Sequence, residues 1–460
     1  MLATSENRPI ISPAFDPDQA SGTDRRLRVL ACSGSLDGGG SERQLWQFVT
    51  KVDQARFKPE VYLLARRGIY LSQLPPNVPV HAFDDGGSIR RPFWPGRISQ
   101  LQAQHLRSVA RQRSIDVIYD RTFHMSLLTG AAFGRRVPRV SVIVSPPSRD
   151  LPGTERRWLG LKRWFLARAY RTAAATLCVS SEVADDAANY YNLPRERLTV
   201  LPNPIDSARV RDLAQSTMLD ADCPAFTRQG QVSDRQELHV AIVGRFSVEK
   251  GQAFAIDVAQ RLQGQRTGFE VNLHLIGSGL MEAELKALTR QYGLANAIHF
   301  HGYLGNPYPL LSRCDLAFVP SSYEGFPNVA LESLALGVPL LMTDYGPTAR
   351  QIAGVSQDIS VQQVSGQRGA GGQRGAGRQP GVERERGHGR SIEGQRAQLV
   401  AIGDASGAVA AMIDRIEQPE RWLRRAREGQ AWVEREHALS QWLETMSDLL
   451  ERVARGGRHQ

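Results

Sequence analysis

Cysteine is scarce in this chain: four in 460 residues, at Cys32, Cys178, Cys223 and Cys314, with no Cys-x-x-Cys pair and no clustering with histidine. That scatter gives no zinc or other metal signature and argues against a disulfide framework, which fits a reducing, cytoplasmic setting. Long hydrophobic runs are missing too: nothing reaches the ~18 apolar residues that a helical membrane span requires. The first 26 residues carry Pro, Asp and Ser without the apolar centre of a signal peptide, and read as a disordered tail. Aromatics make up only 7%, with no RNA-module pattern of aromatics among basic residues. The net charge of +10 therefore points to a surface or membrane-proximity feature, with no nucleic acid partner expected. Part of that charge is local, because residues 361–396 hold seven Arg against three Glu.

What is present is an alternation of apolar runs and amphipathic stretches, the pattern of βαβ units around a parallel sheet. Strands are expected at 27–33, 61–64, 117–119, 140–144 and 176–179, and a second series at 238–243, 271–276, 298–300, 316–319 and 338–342. The length suits two α/β domains better than one core. The expected organisation is a tail at 1–26, a first Rossmann-like domain at 27–206, a polar connection at 207–236 and a second Rossmann-like domain at 237–428. A helix at 429–460 then crosses back to the first domain. Within the second domain, 364–396 reads as a disordered low-complexity insertion. There Gly366-Gln-Arg-Gly-Ala-Gly371 repeats directly as Gly372-Gln-Arg-Gly-Ala-Gly377 and offers almost no apolar area against the entropy of ordering glycine.

The densest chemistry lies between Tyr323 and Pro339. Glu324 and Glu332 stand with seven residues between them, and Gly325 and Pro327 follow the first. Pro327 suits a first helical turn, and Gly337 a helix end. Eight fully helical steps would separate the two carboxylate residues by about 12 Å. A helix N-terminus attracts phosphate, and a carboxylate accepts hydrogen bonds from sugar hydroxyls, so one loop offers both halves of a nucleotide-sugar site. Arg245 and Lys250 follow a strand in a Gly-rich loop, where they can hold a leaving diphosphate without a metal. Their bland alternative is a solvated pair.

These residues resemble a known family. The two spaced glutamates look like the signature of the retaining glycosyltransferases of the GT-B fold, specifically the fourth family. The resemblance spans roughly 28–450. It includes Gly38-Gly39-Gly40-Ser41-Glu42-Arg43, Leu201-Pro202-Asn203-Pro204-Ile205-Asp206, Val243-Gly244-Arg245, Leu275-Ile276-Gly277-Ser278-Gly279 and Phe300-His301-Gly302-Tyr303. It implies two doubly wound parallel-sheet domains facing across a cleft, and transfer of a sugar from a nucleotide-diphosphate donor to a glycan or lipid-linked acceptor. It further implies retention of configuration, a setting in cell-surface polysaccharide or glycolipid assembly, and no metal or other cofactor.

On that resemblance Glu324 contacts the donor sugar near the reacting carbon, and Gly325, Phe326, Asn328 and Val329 approach sugar and diphosphate. Glu332 accepts the ribose hydroxyls, and Gly39, Gly40, Gly244, Gly277 and Gly279 let backbone approach the substrate. Tyr303 meets the nucleobase or simply packs. His124, just past a strand, is a candidate acid or base on the acceptor side, against a purely structural role. Two departures concern sugar preference: there is no histidine at the end of the strand reading Val142-Ile-Val-Ser145, and Gln351 stands where relatives place a glutamate. A nucleotide-sugar epimerase and a non-catalytic binding module share the cleft as rival readings. Finally, a basic helix with tryptophans at 156–171 either packs its aromatics inward or rests on anionic membrane at the inner face.

Overall fold

The computed structural model describes residues 26–86, 96–154, 157–216, 236–265, 269–355 and 391–457. The first strand series becomes β1 (Leu27–Ser33), β2 (Phe57–Leu63), β3 (Val80–Ala82), β4 (Val117–Arg121), β5 (Arg139–Ile143), β6 (Ala175–Cys178) and β7 (Leu198–Val200), a sheet ordered β3-β2-β1-β4-β5-β6-β7. The second becomes β8 (Gln236–Val243), β9 (Phe269–Ile276), β10 (Ile298–Gly302), β11 (Leu316–Val319), β12 (Leu340–Thr343), β13 (Ser391–Glu393) and β14 (Gln398–Val400), ordered β10-β9-β8-β11-β12-β14-β13. Among the described strands every pairing is parallel except β13 with β14. Val29, Leu30, Ala31 and Cys32 of β1 are all fully buried, because helices cover both faces; this is why the strand reads as an unbroken apolar run.

Helices of the first domain are α1 (Gly40–Lys51), α2 (Arg97–Gln112), α3 (Phe123–Phe133), α4 (Pro147–Thr154), α5 (Leu159–Thr172) and α6 (Ser181–Tyr191). Then come α7 (Ser207–Ala214), α8 (Gln252–Gln263), α9 (Glu282–Gln291), α10 (Tyr308–Arg313), α11 (Asn328–Ala335), α12 (Pro347–Ala353), α13 (Ala405–Glu417), α14 (Pro419–Glu436) and α15 (Leu439–Gly457). One apolar cluster continues from Val29 through Ile205 to Leu331, Leu334 and Trp432, so the two domains are packed on each other.

The chain passes between domains at two adjacent places. Ile205 pairs with Ala438, its N–H donating to the His437 carbonyl at 2.8 Å and its carbonyl accepting from Leu439 N–H at 3.1 Å. Two expected boundaries shift as a result. The connection expected at 207–236 opens with α7, started by the Asp206 carboxylate accepting from Arg209 N–H at 3.1 Å and packed on α10 and α11. The return crossing comes at His437–Ala438, later than 429, because Gly429, Trp432 and Val433 are still buried in α14, and Gly429 lies against Leu334 of α11. Beyond the crossing, α15 packs on the first domain at β4 and β5. Most of the insertion expected at 364–396 lies outside the described residues. Its last part is structured: Ser391–Glu393 pairs with β14, and Arg396 donates to the Ile352 carbonyl at 3.0 Å.

Candidate active site

The strand order reverses beside β1 and beside β8, and the loops leaving these two strands face each other across a cavity of about 850 Å³. Ligands in doubly wound sheets bind at such switch points.

The second domain supplies the cavity's charged wall. After β8 the chain turns at Gly244 and Arg245, and a short helical turn at Val248–Lys250 aims Lys250 inward. The Lys250 ammonium sits 2.6 Å from Oε1 of Glu324, which also accepts from the Ser321 hydroxyl at 2.8 Å. Ser322 N–H donates to the Glu249 carbonyl at 2.8 Å, tying the loop of Glu324 to that of Lys250. Gly277 has φ 145°, and a Cβ there would fall 2.0 Å from the Gly244 carbonyl oxygen. The two glycine loops are therefore stacked, and Gly277 keeps Gly244 in place while lining the cavity.

Helix α11 begins at Asn328, with Pro327 at its cap position, so its first turn lines the cavity with no side chain capping its amides. One turn further in, Glu332 is almost fully buried and paired with Arg43 of α1, across the domain boundary. Arg43 also donates to the Tyr308 hydroxyl at 2.9 Å. Burial pulls the Arg43 pKa down, but the charge and hydrogen bond of Glu332, together with Tyr308 and Tyr70, outweigh it and hold the guanidinium ionised.

The first domain closes over this wall. A Cβ on Gly38 (φ 110°) would lie 2.0 Å from the Tyr303 hydroxyl, and one on Gly40 would meet the Asn328 side chain at 2.5 Å. Gly325 faces the Val144 carbonyl at the end of β5, where a Cβ would approach to 1.9 Å. Asn203 donates to the Phe326 carbonyl at 2.9 Å and accepts from Arg121 at 3.1 Å. Arg149 donates to the Ser322 carbonyl at 3.2 Å, and the Glu182 carboxylate accepts from Thr348 N–H at 3.2 Å. The cleft is thus closed by hydrogen bonds and close backbone approach.

The structure gathers Glu324, Arg245, Lys250, Gly39, Gly40, Gly244, Gly277, Tyr303, Gly325, Phe326, Asn328, Val329 and Glu332 around one cavity. Two expected residues fall elsewhere. His124 is exposed on the first turn of α3 and is not part of the lining, since the helix start turns Thr122 and Phe123 inward instead. Gly279 sits behind the wall, where a Cβ would meet the Phe246 carbonyl oxygen at 2.3 Å, so it spaces the backbone and does not line the cavity.

Other lining residues were not assigned from sequence. Arg43 and Asn203 stand inside recognised motifs, but their partners are hundreds of positions or a full domain away. Ser145 and Asp150 had no signal beyond the missing histidine. The Ser145 hydroxyl donates to Asp150 at 2.5 Å. Burial pushes the Asp150 carboxyl above its ordinary range, opposed by that hydrogen bond and by Arg245. Among the described residues no group of three or more His, Cys, Asp or Glu is placed to hold a metal ion.

Two family models match in tandem: the one described as glycosyl transferases group 1 over residues 225–361, and the one described as glycosyltransferase family 4 over 38–209. The chain is 23% identical over 323 residues, covering 70% of it and 81% of the relative, to the N-acetylgalactosamine-N,N'-diacetylbacillosaminyl-diphospho-undecaprenol 4-alpha-N-acetylgalactosaminyltransferase of Campylobacter jejuni. It is 31% identical over 227 residues to the putative glycosyltransferase EpsF of Bacillus subtilis, covering 48% of the chain and 56% of that relative. Among solved structures, Anabaena HepE in complex with UDP-glucose superposes with a TM-score of 0.67 at 19% identity, over 93% of this chain and 100% of that one.

Proposed function

The chain belongs to the group 1 glycosyltransferases and has the GT-B fold, and from its cleft we propose that it moves a sugar from a nucleoside-diphosphate donor to a lipid-linked glycan acceptor, retaining the anomeric configuration. The contact of Lys250 with Glu324 carries this reading. As a donor breaks, negative charge grows on the leaving diphosphate and positive charge on the anomeric carbon. A cation and a carboxylate in contact at one point of a closed cleft answer both.

Arg245, Lys250 and the amides opening α11 then hold the diphosphate. Glu324 faces the sugar, and Glu332 lies one turn deeper, in reach of the ribose side. A cavity of about 850 Å³ has room for such a donor with an acceptor hydroxyl beside it. In a front-face reaction the leaving phosphate oxygen takes the proton of the attacking hydroxyl, while the protein supplies position and charge. The C. jejuni relative's diphospho-undecaprenol substrate supports a lipid-linked acceptor, and the Anabaena complex supports a uridine nucleotide among the donors to try first.

A thermal-shift panel of nucleoside diphosphates and nucleotide-sugars identifies the donor, and NMR of the product then reads the anomer. Inversion at the transferred carbon would end the retaining reading. Release of an altered nucleotide-sugar without acceptor would replace transfer by epimerisation.

A further inference from the structure

Helix α5 carries its large apolar side chains on the wrong side for a buried helix. Trp158 is 70% exposed, Leu161 51%, Trp164 56% and Phe165 44%. Trp158, Leu161 and Phe165 fall three to four residues apart on one stripe, with Trp164 beside them, and the Trp164 and Phe165 rings meet edge to face at 4.9 Å. The opposite face, with Leu166, Ala169 and Tyr170, is the one buried against the domain. Four such side chains on one outward stripe are more than the scattered exposed leucines of an ordinary surface.

Along the helix itself the charge has one sign. From Arg157 to Thr172 the sequence holds Arg157, Lys162, Arg163, Arg168 and Arg171, and no carboxylate. Arg163 and Arg171 are turned back onto the neighbouring helix: Arg163 lies over the Tyr190 ring and donates to its carbonyl at 2.6 Å, and Arg171 donates to the Asn192 carbonyl at 2.9 Å. Arg157 and Arg168 are exposed alongside the aromatics.

We propose that this face of α5 seats the first domain on an anionic lipid bilayer, the aromatics entering the headgroup region and the cations meeting lipid phosphates. Tryptophan beside cations suits a surface that is apolar a few ångströms down and negative on top. A second copy of the chain fits poorly, because an isologous contact would set these cations against their own counterparts.

Position gives the contact a purpose, which rests on the proposed lipid-linked acceptor. Asp150 of α4 lines the cavity, and Trp158 is eight residues on, so the two are within about 30 Å even were the chain fully extended. A bilayer against α5 therefore holds a lipid-linked acceptor within reach of the cleft from the first-domain side.

Flotation of the full chain with phosphatidylcholine vesicles, with and without phosphatidylglycerol, tests this. The expected result is binding to the anionic vesicles only. In the triple variant Trp158→Ser, Trp164→Ser, Phe165→Ser, which leaves every charge in place, the partition coefficient should fall at least about tenfold, since interfacial binding scales with buried apolar area. All three side chains are exposed, so the melting temperature and the nucleoside-diphosphate thermal shift should be unchanged. Equal partitioning of the variant, or equal binding to neutral vesicles, would overturn the proposal. So would sedimentation showing that the patch makes a dimer while vesicles are ignored. Loss of every nucleotide thermal shift in the parent chain, with vesicle binding intact, would strike the proposed function and leave this surface standing.

Discussion

Lys250 and Glu324 are ion-paired at 2.6 Å across the floor of the cleft, on two loops that the sequence separates by three helices and three strands, α8 to β11. The pair holds a cation where a leaving phosphate is expected, at the cost of occupying it when no ligand is bound. Removing Lys250 or Arg245 as alanine should weaken nucleoside-diphosphate binding by about 1.5–3 kcal/mol each, the scale of a charge-assisted hydrogen bond. Isothermal calorimetry reads this directly, and unchanged affinity in both variants would take them out of the diphosphate site.

The two glutamates should separate in kinetics. Glu324→Gln removes charge beside the reacting carbon, so kcat should fall with little change in donor affinity. Glu332→Gln should mainly raise the donor KM. It also leaves Arg43 without its ionic partner at the domain boundary, so a lower melting temperature is expected alongside. Steady-state rates with an accepted donor decide, and identical behaviour of the two variants would defeat the assignment.

Gly325→Ala should act on closure. The added methyl would meet the Val144 carbonyl at 1.9 Å and a Val179 methyl at 3.0 Å, both on the first domain. The clash falls where the two domains meet, with Val179 itself buried, so some loss of melting temperature is expected while kcat/KM drops by at least about tenfold, as expected when closure fails to assemble a site. Small-angle scattering should show a larger radius of gyration for the variant. A variant of parental size and activity would mean that the close approach is dispensable.

Acid should loosen the second domain. His274 of β9 is fully buried, 2.9 Å from a His239 nitrogen and 3.0 Å from one of His301, with the His299 ring stacked at 5.0 Å. Burial, then the neighbouring imidazoles, push its pKa down to about 2 from an ordinary 6.5. The unfolded chain takes up a proton below 6.5 that the folded one refuses. Stability is therefore full above that pH and falls as pH drops toward 2, by at most about 1.4 kcal/mol per unit for this group. Glu237 lies 3.2 Å from the outer nitrogen of His239, at one end of the stack. Calorimetric melting between pH 7 and 5 should show a steeper decline for the parent than for His274→Gln.

Much of this was legible before any coordinates. Strands buried on both faces announce themselves as apolar runs, and the glycine loops and spaced glutamates fix where two switch points lie. What sequence could not supply is pairing across the cleft. Nothing local to Arg43 points to Glu332, or local to Asn203 to the Phe326 carbonyl, because those contacts exist only once two separately folded sheets are brought face to face. His124 misled for the related reason that a strand end marks the right rim but not the direction a side chain takes from it. The last residues of the low-complexity stretch misled through composition. Ser391–Glu393 needs only an edge strand to pair with, and backbone hydrogen bonding is indifferent to the glycine and arginine before it.

The side-by-side passage of the chain at Ile205 and Ala438 has a mechanical consequence. Two adjoining strands of polypeptide form a flexure: they bend easily across their width and resist twist. Any opening of the cleft must bend the chain at this pair of segments, and closing it returns Gly38 to Tyr303 and Gly325 to Val144. Alignment of the reacting groups is inherited from the stiffness of that pair, far from the chemistry. Substitutions around His437, whose ring nitrogen bonds the Asn203 carbonyl at 3.0 Å, would then blur the site without touching it.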